Sequence, residues 1–96
     1  MHIISHRQIN LAMLRLPQVA NALDSWYRIM KNSSPANFSE MKQLFNAVDR
    51  VGKFHVFDIG GNKVRMIAVV KYQGGRIYIR HILTHAEYDL NKWKED

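Results

Sequence analysis

The chain has 96 residues, enough for one small domain, and it contains no cysteine, which excludes a disulfide framework, a thiolate nucleophile and a cysteine-based zinc site. Its formal charge of +6 and its pI of about 9.9 favour an anionic partner such as RNA, DNA, an acidic protein or a membrane surface. Its first residues do not resemble a signal peptide, and no apolar run reaches the ~20 residues of a membrane span, so we expect a cytoplasmic protein.

Two helices are predicted in the first third of the chain, after a short strand at His2–Ile4. Ser5 and Gln8 form a capping box, so a helix is expected to begin there. Pro17 ends this helix and suits the first turn of the next one. Apolar residues at helical spacing mark one stripe on each helix: Ile9, Ala12, Met13 and Leu16 on the first, and Val19, Leu23, Trp26 and Met30 on the second. We expect the two helices to form an antiparallel hairpin.

A short third helix and a β-meander are predicted after residues 31–35, which end the second helix. Asn37 and Glu40 form another capping box. The apolar positions of this third helix are Met41, Leu44, Phe45 and Val48, and residues 49–53 lead out of it. Strands are expected at 54–59, 63–73 and 76–83, with turns at 60–62 and 74–75. The prediction is a single α+β domain, residues 1–96, in which a short N-terminal strand and a helical hairpin precede a three-stranded antiparallel meander, with the helices on one face of the sheet.

The register of the last hairpin decides which side chains share a face. With a two-residue loop at Gly74 and Gly75, Arg65 lies opposite Thr84. One face is then almost wholly apolar and should pack on the helices: Val64, Met66, Ala68, Val70, Ile77, Ile79, His81 and Leu83. The other face is mixed: Arg65, Ile67, Val69, Lys71, Tyr78, Arg80, Ile82 and Thr84. Burial of each large apolar side chain contributes about 1.5–3 kcal/mol, so this segregated register is expected.

A short helical turn is predicted after the last strand, because Thr84 and Glu87 form a third capping box. The predicted register brings His85 and Tyr88 of this turn beside Arg65. The tail, residues 91–96, is charged, and we expect it to fray.

These groups suit RNA cleavage without a metal or another cofactor. When a 2′-hydroxyl attacks the adjacent phosphorus, the reaction needs a base, a cation for the developing charge and an acid for the leaving oxygen. Arg65 and Arg80 can clamp a phosphate as planar forks. His85 can act as acid or base, and Tyr88 can orient the substrate or transfer a proton.

Each of these residues also has a structural interpretation, which the sequence leaves open. Arg65 and Arg80 can be solvated strand residues, and His85 can be an exposed residue of a capped turn. Tyr88 can pack on the sheet edge. His81 is interpreted as a hydrogen-bonded core histidine because it falls on the apolar face. Three further histidines lack a metal-ligand spacing among themselves: His2, His6 and His55.

Residues 57–68 contain a Gly-Gly-Asn turn before an arginine-bearing strand, and residues 78–89 contain the ending Thr-His-Ala-Glu-Tyr-Asp. These two stretches of the sequence closely resemble the HigB toxin family of the RelE-like superfamily. The resemblance extends over nearly the whole chain. It implies the RelE-like fold and a type II toxin that cuts mRNA, usually in the ribosomal A site. It also implies inhibition by a HigA-type antitoxin with a helix-turn-helix. The toxin would then bind operator DNA only through this antitoxin.

The resemblance also suggests roles for individual residues. Arg65 matches the central-strand arginine that grips the scissile phosphate in RelE-like enzymes, and Tyr88 matches the tyrosine after the last strand. His85 falls where many relatives carry a catalytic arginine. The candidates for RNA or phosphate binding are Arg80, Lys71, Lys53 and Lys63. The alternatives are a non-catalytic basic module that binds RNA, DNA or protein, and an inactive toxin homologue.

Overall fold

The structure is a computed structural model, and it describes residues 1–61 and 63–95. Its elements in chain order are β1 (His2–Ile4), α1 (His6–Arg15), a 3₁₀ turn (Pro17–Val19), α2 (Ala20–Lys31), α3 (Phe38–Leu44), β2 (Val48–Val51), β3 (Phe54–Ile59), β4 (Val64–Lys71), β5 (Arg76–Thr84), α4 (His85–Asp89) and a C-terminal 3₁₀ helix (Lys92–Glu95). The α+β class and the RelE-like plan are therefore confirmed. No helix in these ranges has the length and apolar character of a membrane span.

The described residues form a five-stranded sheet in the order β1-β5-β4-β3-β2. β1 runs parallel to β5, and the other neighbouring strands are antiparallel. The meander has one strand more than predicted, because residues expected to end the third helix and lead out of it form β2. Val48 pairs with Phe57 and is fully buried, while Asp49 and Arg50 between the two valines are exposed. Because two polar residues separate the two valines, this segment lacks the period-2 alternation of a strand, and its pairing with β3 is what makes it one.

The helices α1 and α2 pack on one face of the sheet, as predicted. The main core between helices and sheet includes the predicted stripe positions Ile9, Ala12, Leu16, Val19, Leu23, Trp26 and Met30. The capping box at Ser5 is wrong, because Ser5 has a left-handed backbone and its side chain makes no cap hydrogen bond. Gln8 instead donates its side-chain amide to the Ile79 carbonyl at 3.0 Å, which ties α1 to β5. The predicted caps form at Asn37 and Thr84.

A second core lies on the other face of the sheet. It contains Phe54, Val56, Ile67 and Trp93. Trp93 is only 3% exposed, so the prediction that the tail frays is wrong for residues 92–95, which form a helix anchored by this indole. Asp96 lies outside the described residues.

The predicted register of the last hairpin is wrong for two reasons. The turn spans residues 72–75, with the Gly75 N–H donating to the Tyr72 carbonyl at 3.1 Å, so Lys71 pairs with Arg76. A bulge then adds Arg80 to β5, and Arg65 consequently pairs with Leu83 instead of Thr84.

The bulge reverses the alternation of β5 beyond Arg80. Ile82 is therefore buried in the main core under the helices, although it was predicted on the mixed face. Leu83 packs against the second core instead of the helices. His81 is half-buried beside Ile67, its strand partner, so its interpretation as a histidine of the helix-covered core is also wrong.

The β3–β4 turn shows why one glycine is needed there. Gly60 has a φ of +70°, and a Cβ at this position would meet the Val19 Cγ1 at 3.1 Å. Both the left-handed backbone and the close approach of the helical layer therefore favour glycine. Gly61 also has a positive φ, and Asn62, the third residue of the predicted turn, lies outside the described residues.

Candidate active site

The helix α4 is held at the end of β5 by reciprocal hydrogen bonds. The Thr84 hydroxyl accepts from the Glu87 N–H at 3.2 Å, and the Glu87 carboxylate accepts from the Thr84 N–H at 2.9 Å. The Thr84 backbone is the main cause that lowers the pKa of Glu87, and Arg15 of α1 acts in the same direction. The ionised capping box therefore fixes where α4 presents His85 and Tyr88.

Arg65 of β4 contacts both Asp58 of β3 and Tyr88 of α4. Its Nη1 lies 3.0 Å from the Asp58 Oδ1, and its guanidinium carbon lies 5.4 Å from the centroid of the Tyr88 ring. The side chains of Arg65 and Asp58 are 15% and 22% exposed, respectively. Such partial burial strengthens their attraction relative to a surface pair. The guanidinium is thus held in a fixed position, and its charge is partly neutralised.

Tyr88 is anchored by the C-terminal helix. Its ring stacks on Trp93 with centroids 5.0 Å apart and planes 14° from parallel. The Trp93 indole N–H also donates to the Tyr88 carbonyl at 3.0 Å. Because Trp93 is itself buried against the sheet, the phenol has a defined position over Arg65.

His85 lies on the exposed side of α4. Its Nε2 is 3.3 Å from the Asp89 Oδ2, and both side chains are 59% exposed. An exposed imidazole is accessible to an incoming substrate, and it is a group that can donate a proton to the substrate or accept one from it. The structure thus places Arg65 and Tyr88 in direct contact and leaves His85 on the surface of the same short helix.

The basic candidates are spread over the sheet. Lys53, in the β2–β3 turn, is exposed, with its ammonium 5.1 Å from the Phe54 ring. Lys71 is exposed at the end of β4, about 20 Å from Arg65 at a strand rise of ~3.3 Å per residue. Arg80 is exposed at the bulge, and Lys63 is exposed just before β4. Lys71 is therefore remote from Arg65, whereas Lys63 lies only two residues before it in the chain.

The described residues contain no group of three or more histidine, aspartate or glutamate side chains placed to hold a metal ion.

Comparison with known proteins identifies the family. Residues 19–91 match the model of the HigB toxin family, a RelE-like toxic component of a toxin-antitoxin system. The chain belongs to the HigB toxin family. It is 37% identical over 92 residues to the mRNA interferase HigB of Escherichia coli O6:H1 strain CFT073, covering 93% of this chain and 89% of that protein. It is 29% identical over 93 residues to the mRNA interferase toxin HigB of Escherichia coli K12, covering 94% and 89%.

Family membership confirms the resemblance noted in the sequence. As the toxic component of a toxin-antitoxin system, this HigB-family chain has an antitoxin as its partner.

Sequence reasoning missed two residues of this HigB-family site. Asp58 is the strand partner of Arg65, and the strand alternation Phe54, Val56, Asp58 was the signal that places it on the same face. Trp93 was overlooked because the residues around it are charged. A lone tryptophan in such a tail indicates an anchor, because the indole ring has a large apolar surface whose burial stabilises the fold.

Proposed function

We propose that this toxin is an mRNA interferase, an endoribonuclease that cleaves mRNA in the ribosomal A site by metal-independent attack of a 2′-hydroxyl on the adjacent phosphorus. The observation that carries the proposal is the contact between the Arg65 guanidinium and the Tyr88 ring at the end of the hairpin. The names of the E. coli relatives, mRNA interferases that match almost the whole chain, support it.

Arg65 is the proposed phosphate-binding residue. A guanidinium donates several N–H groups in a planar fork, so one edge can bond Asp58 while another bonds a phosphate oxygen. The position fixed by Asp58 and Tyr88 means that little reorganisation is needed as negative charge grows on the phosphorane. Preorganised donors of this kind contribute about 10²–10³-fold each to a rate.

His85 and Tyr88 are the proposed proton-transfer and orienting groups. The exposed His85 imidazole is the candidate that protonates the leaving 5′-oxygen or accepts the proton of the 2′-hydroxyl. The Tyr88 hydroxyl is the candidate that orients the phosphate or passes a proton, since its ring is already fixed by Arg65 and Trp93.

The wider positive charge is proposed to hold message and ribosomal RNA. The four exposed candidates are Arg80, Lys71, Lys53 and Lys63. Contacts from separate lysines and arginines to phosphates weaken steeply with salt, so binding should be salt-dependent. The antitoxin is proposed to be of the HigA type with a helix-turn-helix, to provide the contact to operator DNA, and to act with the toxin in the cytoplasm, where the ribosomes are.

One observation favours the alternative of a non-catalytic RNA- or protein-binding homologue. Arg65 is largely buried and already paired with Asp58, as a purely structural arginine would be. In that case, alanine substitutions would change binding affinity and its salt dependence, but no bond would be cut by any form of the protein.

The test is to express the wild-type chain, Arg65→Ala and His85→Ala in bacteria and map new mRNA 5′ ends. Arg76→Ala and His2→Ala are matched controls, because both residues are exposed and lie at the other end of the hairpin from the site. Arg76 begins β5, and His2 is its partner on β1. We expect cuts that carry a 5′-hydroxyl with the wild type and both controls, and at least tenfold fewer cuts with the two site variants. Equal cleavage by all five forms would contradict the residue roles, and 5′-phosphate ends would contradict the 2′-hydroxyl mechanism.

A further inference from the structure

A pocket of about 370 Å³ opens between β5 and the C-terminal segment. Its lining residues are His81, Leu83, Glu87, Leu90, Lys92 and Trp93. The bulge in β5 forms this pocket, because the residue added at Arg80 turns His81 and Leu83 away from the helices. Bulges commonly redirect side chains next to active sites.

The pocket adjoins the proposed reaction site on two sides. Leu83 is the strand partner of Arg65, and paired residues on one face of an antiparallel sheet have Cβ atoms about 4.5–5.5 Å apart. Trp93, on another side, stacks directly on Tyr88. A nucleotide whose phosphate reaches Arg65 therefore has the pocket within the reach of its own base or of the next one.

The chemistry of the lining matches a nucleobase. Leu83 and Leu90 supply apolar surface against which a flat ring can pack, and the buried Trp93 closes one wall of the pocket. The Glu87 carboxylate, held ionised by the α4 cap, is a hydrogen-bond acceptor, and the exposed Lys92 ammonium is a donor. Bases in single-stranded RNA are recognised by packing on apolar or aromatic side chains together with hydrogen bonds to their edges.

We propose that this pocket holds a nucleobase next to the scissile phosphate, and that Leu90 and Lys92 determine which base is accepted. Leu90 is 64% exposed at the rim and forms a lid over the ring, while the Lys92 ammonium bonds a carbonyl or ring nitrogen of the base. The inference rests on the proposed function, since it specifies how the same site selects its RNA.

The test compares the bases that flank the cuts made by the wild type, Leu90→Ala and Lys92→Met. Lys31→Met is a matched control, because Lys31 is an exposed lysine at the end of α2, in the helical layer. Leu14→Ala is the control for loss of an exposed leucine, since Leu14 is 81% exposed on α1. We expect the ratio between preferred and disfavoured bases to fall about tenfold in the two pocket variants and to stay unchanged in both controls.

A second measurement does not depend on cleavage. The wild-type protein is titrated with each of the four nucleoside 3′-monophosphates while the methyl signals of Leu83 and Leu90 are followed by NMR. We expect the preferred nucleotide to shift both signals, and Lys92→Met to weaken its binding about tenfold.

The outcomes separate this inference from the proposed function. Active variants with an unchanged base ratio would overturn the pocket assignment and leave the endonuclease intact. Pocket variants that escape neutralisation by the antitoxin while keeping the base ratio would show that the pocket docks protein instead. A wild-type protein that cuts no RNA would overturn the proposed function, and the nucleotide titration would then decide alone whether the pocket takes a base.

Discussion

The Arg65 guanidinium lies 5.4 Å from the centroid of the Tyr88 ring, although one residue is on a central strand and the other on a short helix after the last strand. Two features produce this contact: the pairing of β4 with β5, and the capping box that turns the chain at Thr84. A cation over an aromatic ring contributes about 0.5–2 kcal/mol, more when it is shielded from water. The contact therefore stabilises the fold as well as placing the charge, and substitutions must separate the two effects.

Tyr88→Phe separates the hydroxyl from the ring. The ring contacts with Arg65 and Trp93 remain in this variant, so we expect the free energy of unfolding to stay within about 0.5 kcal/mol of wild type. If the hydroxyl takes part in the reaction, the rate of RNA cleavage should fall about 10²-fold. Urea unfolding and a single-turnover cleavage assay measure the two effects. Full activity of Tyr88→Phe would limit Tyr88 to a packing role.

Arg65→Lys separates charge from geometry. Lysine can still pair with Asp58, so the variant should fold, with a loss of about 0.5–2 kcal/mol from the weakened contact with the Tyr88 ring. It cannot present a planar fork to a phosphate, and we expect cleavage to fall about 10²-fold. Arg76→Lys, at the exposed start of β5, is the matched control and should cleave as the wild type does. Activity of Arg65→Lys close to that of wild type would show that a point charge suffices.

The helices could be predicted because burial repeats at helical spacing. Leu23, Trp26 and Met30 all fall on one side of α2 and are all buried. Such a stripe depends only on the local period, which the sequence displays directly.

The register of the last hairpin could not be predicted in the same way. Gly74 and Gly75 suit a two-residue loop, yet they also suit the last two positions of the longer turn that forms. The bulge at Arg80 has no local sequence signal, and its stabilisation comes from contacts on both faces of β5. Burial of Ile82 under the helices and of Leu83 near Trp93 favours the shifted arrangement. The adjacency of Arg65 and Tyr88 nevertheless forms, because α4 begins directly at the strand end.

Trp93→Ala should destabilise the protein strongly. Trp93 is 3% exposed and covers Phe54, Val56 and Ile67 on the second face of the sheet. Truncation of a buried aromatic residue costs about 3–5 kcal/mol. Glu95→Ala, two residues beyond it and exposed, should change stability by less than about 0.5 kcal/mol. Thermal unfolding followed by circular dichroism measures both, and equal melting temperatures for the two variants would contradict the anchoring role of the indole.

His55 should make the protein less stable as the pH falls from about 6.5 to 4. The side chain is 6% exposed, and its Nε2 lies 2.6 Å from the Tyr72 hydroxyl. Burial, with a smaller effect of the Arg50 charge, lowers the pKa of His55 from 6.5 to about 4. In the unfolded chain this histidine takes up a proton near pH 6.5, so between these values the unfolded state binds more protons and is favoured. The difference between the two pKa values of His55 corresponds to a loss of about 3 kcal/mol in the free energy of unfolding.

The measurement is the free energy of unfolding in urea at several pH values for the wild type and His55→Phe. Because all other titrating groups are shared, the difference between the two curves isolates His55. The free energy of unfolding of the wild type relative to His55→Phe should be constant above pH 7. Towards pH 4 the wild type should lose about 3 kcal/mol of stability relative to the variant. Tyr72→Phe keeps His55 buried and removes the hydroxyl at its Nε2; because burial is the main cause of the lowered pKa of His55, most of the wild-type slope should remain. Parallel curves for the wild type and His55→Phe would show that His55 titrates alike in the folded and unfolded states.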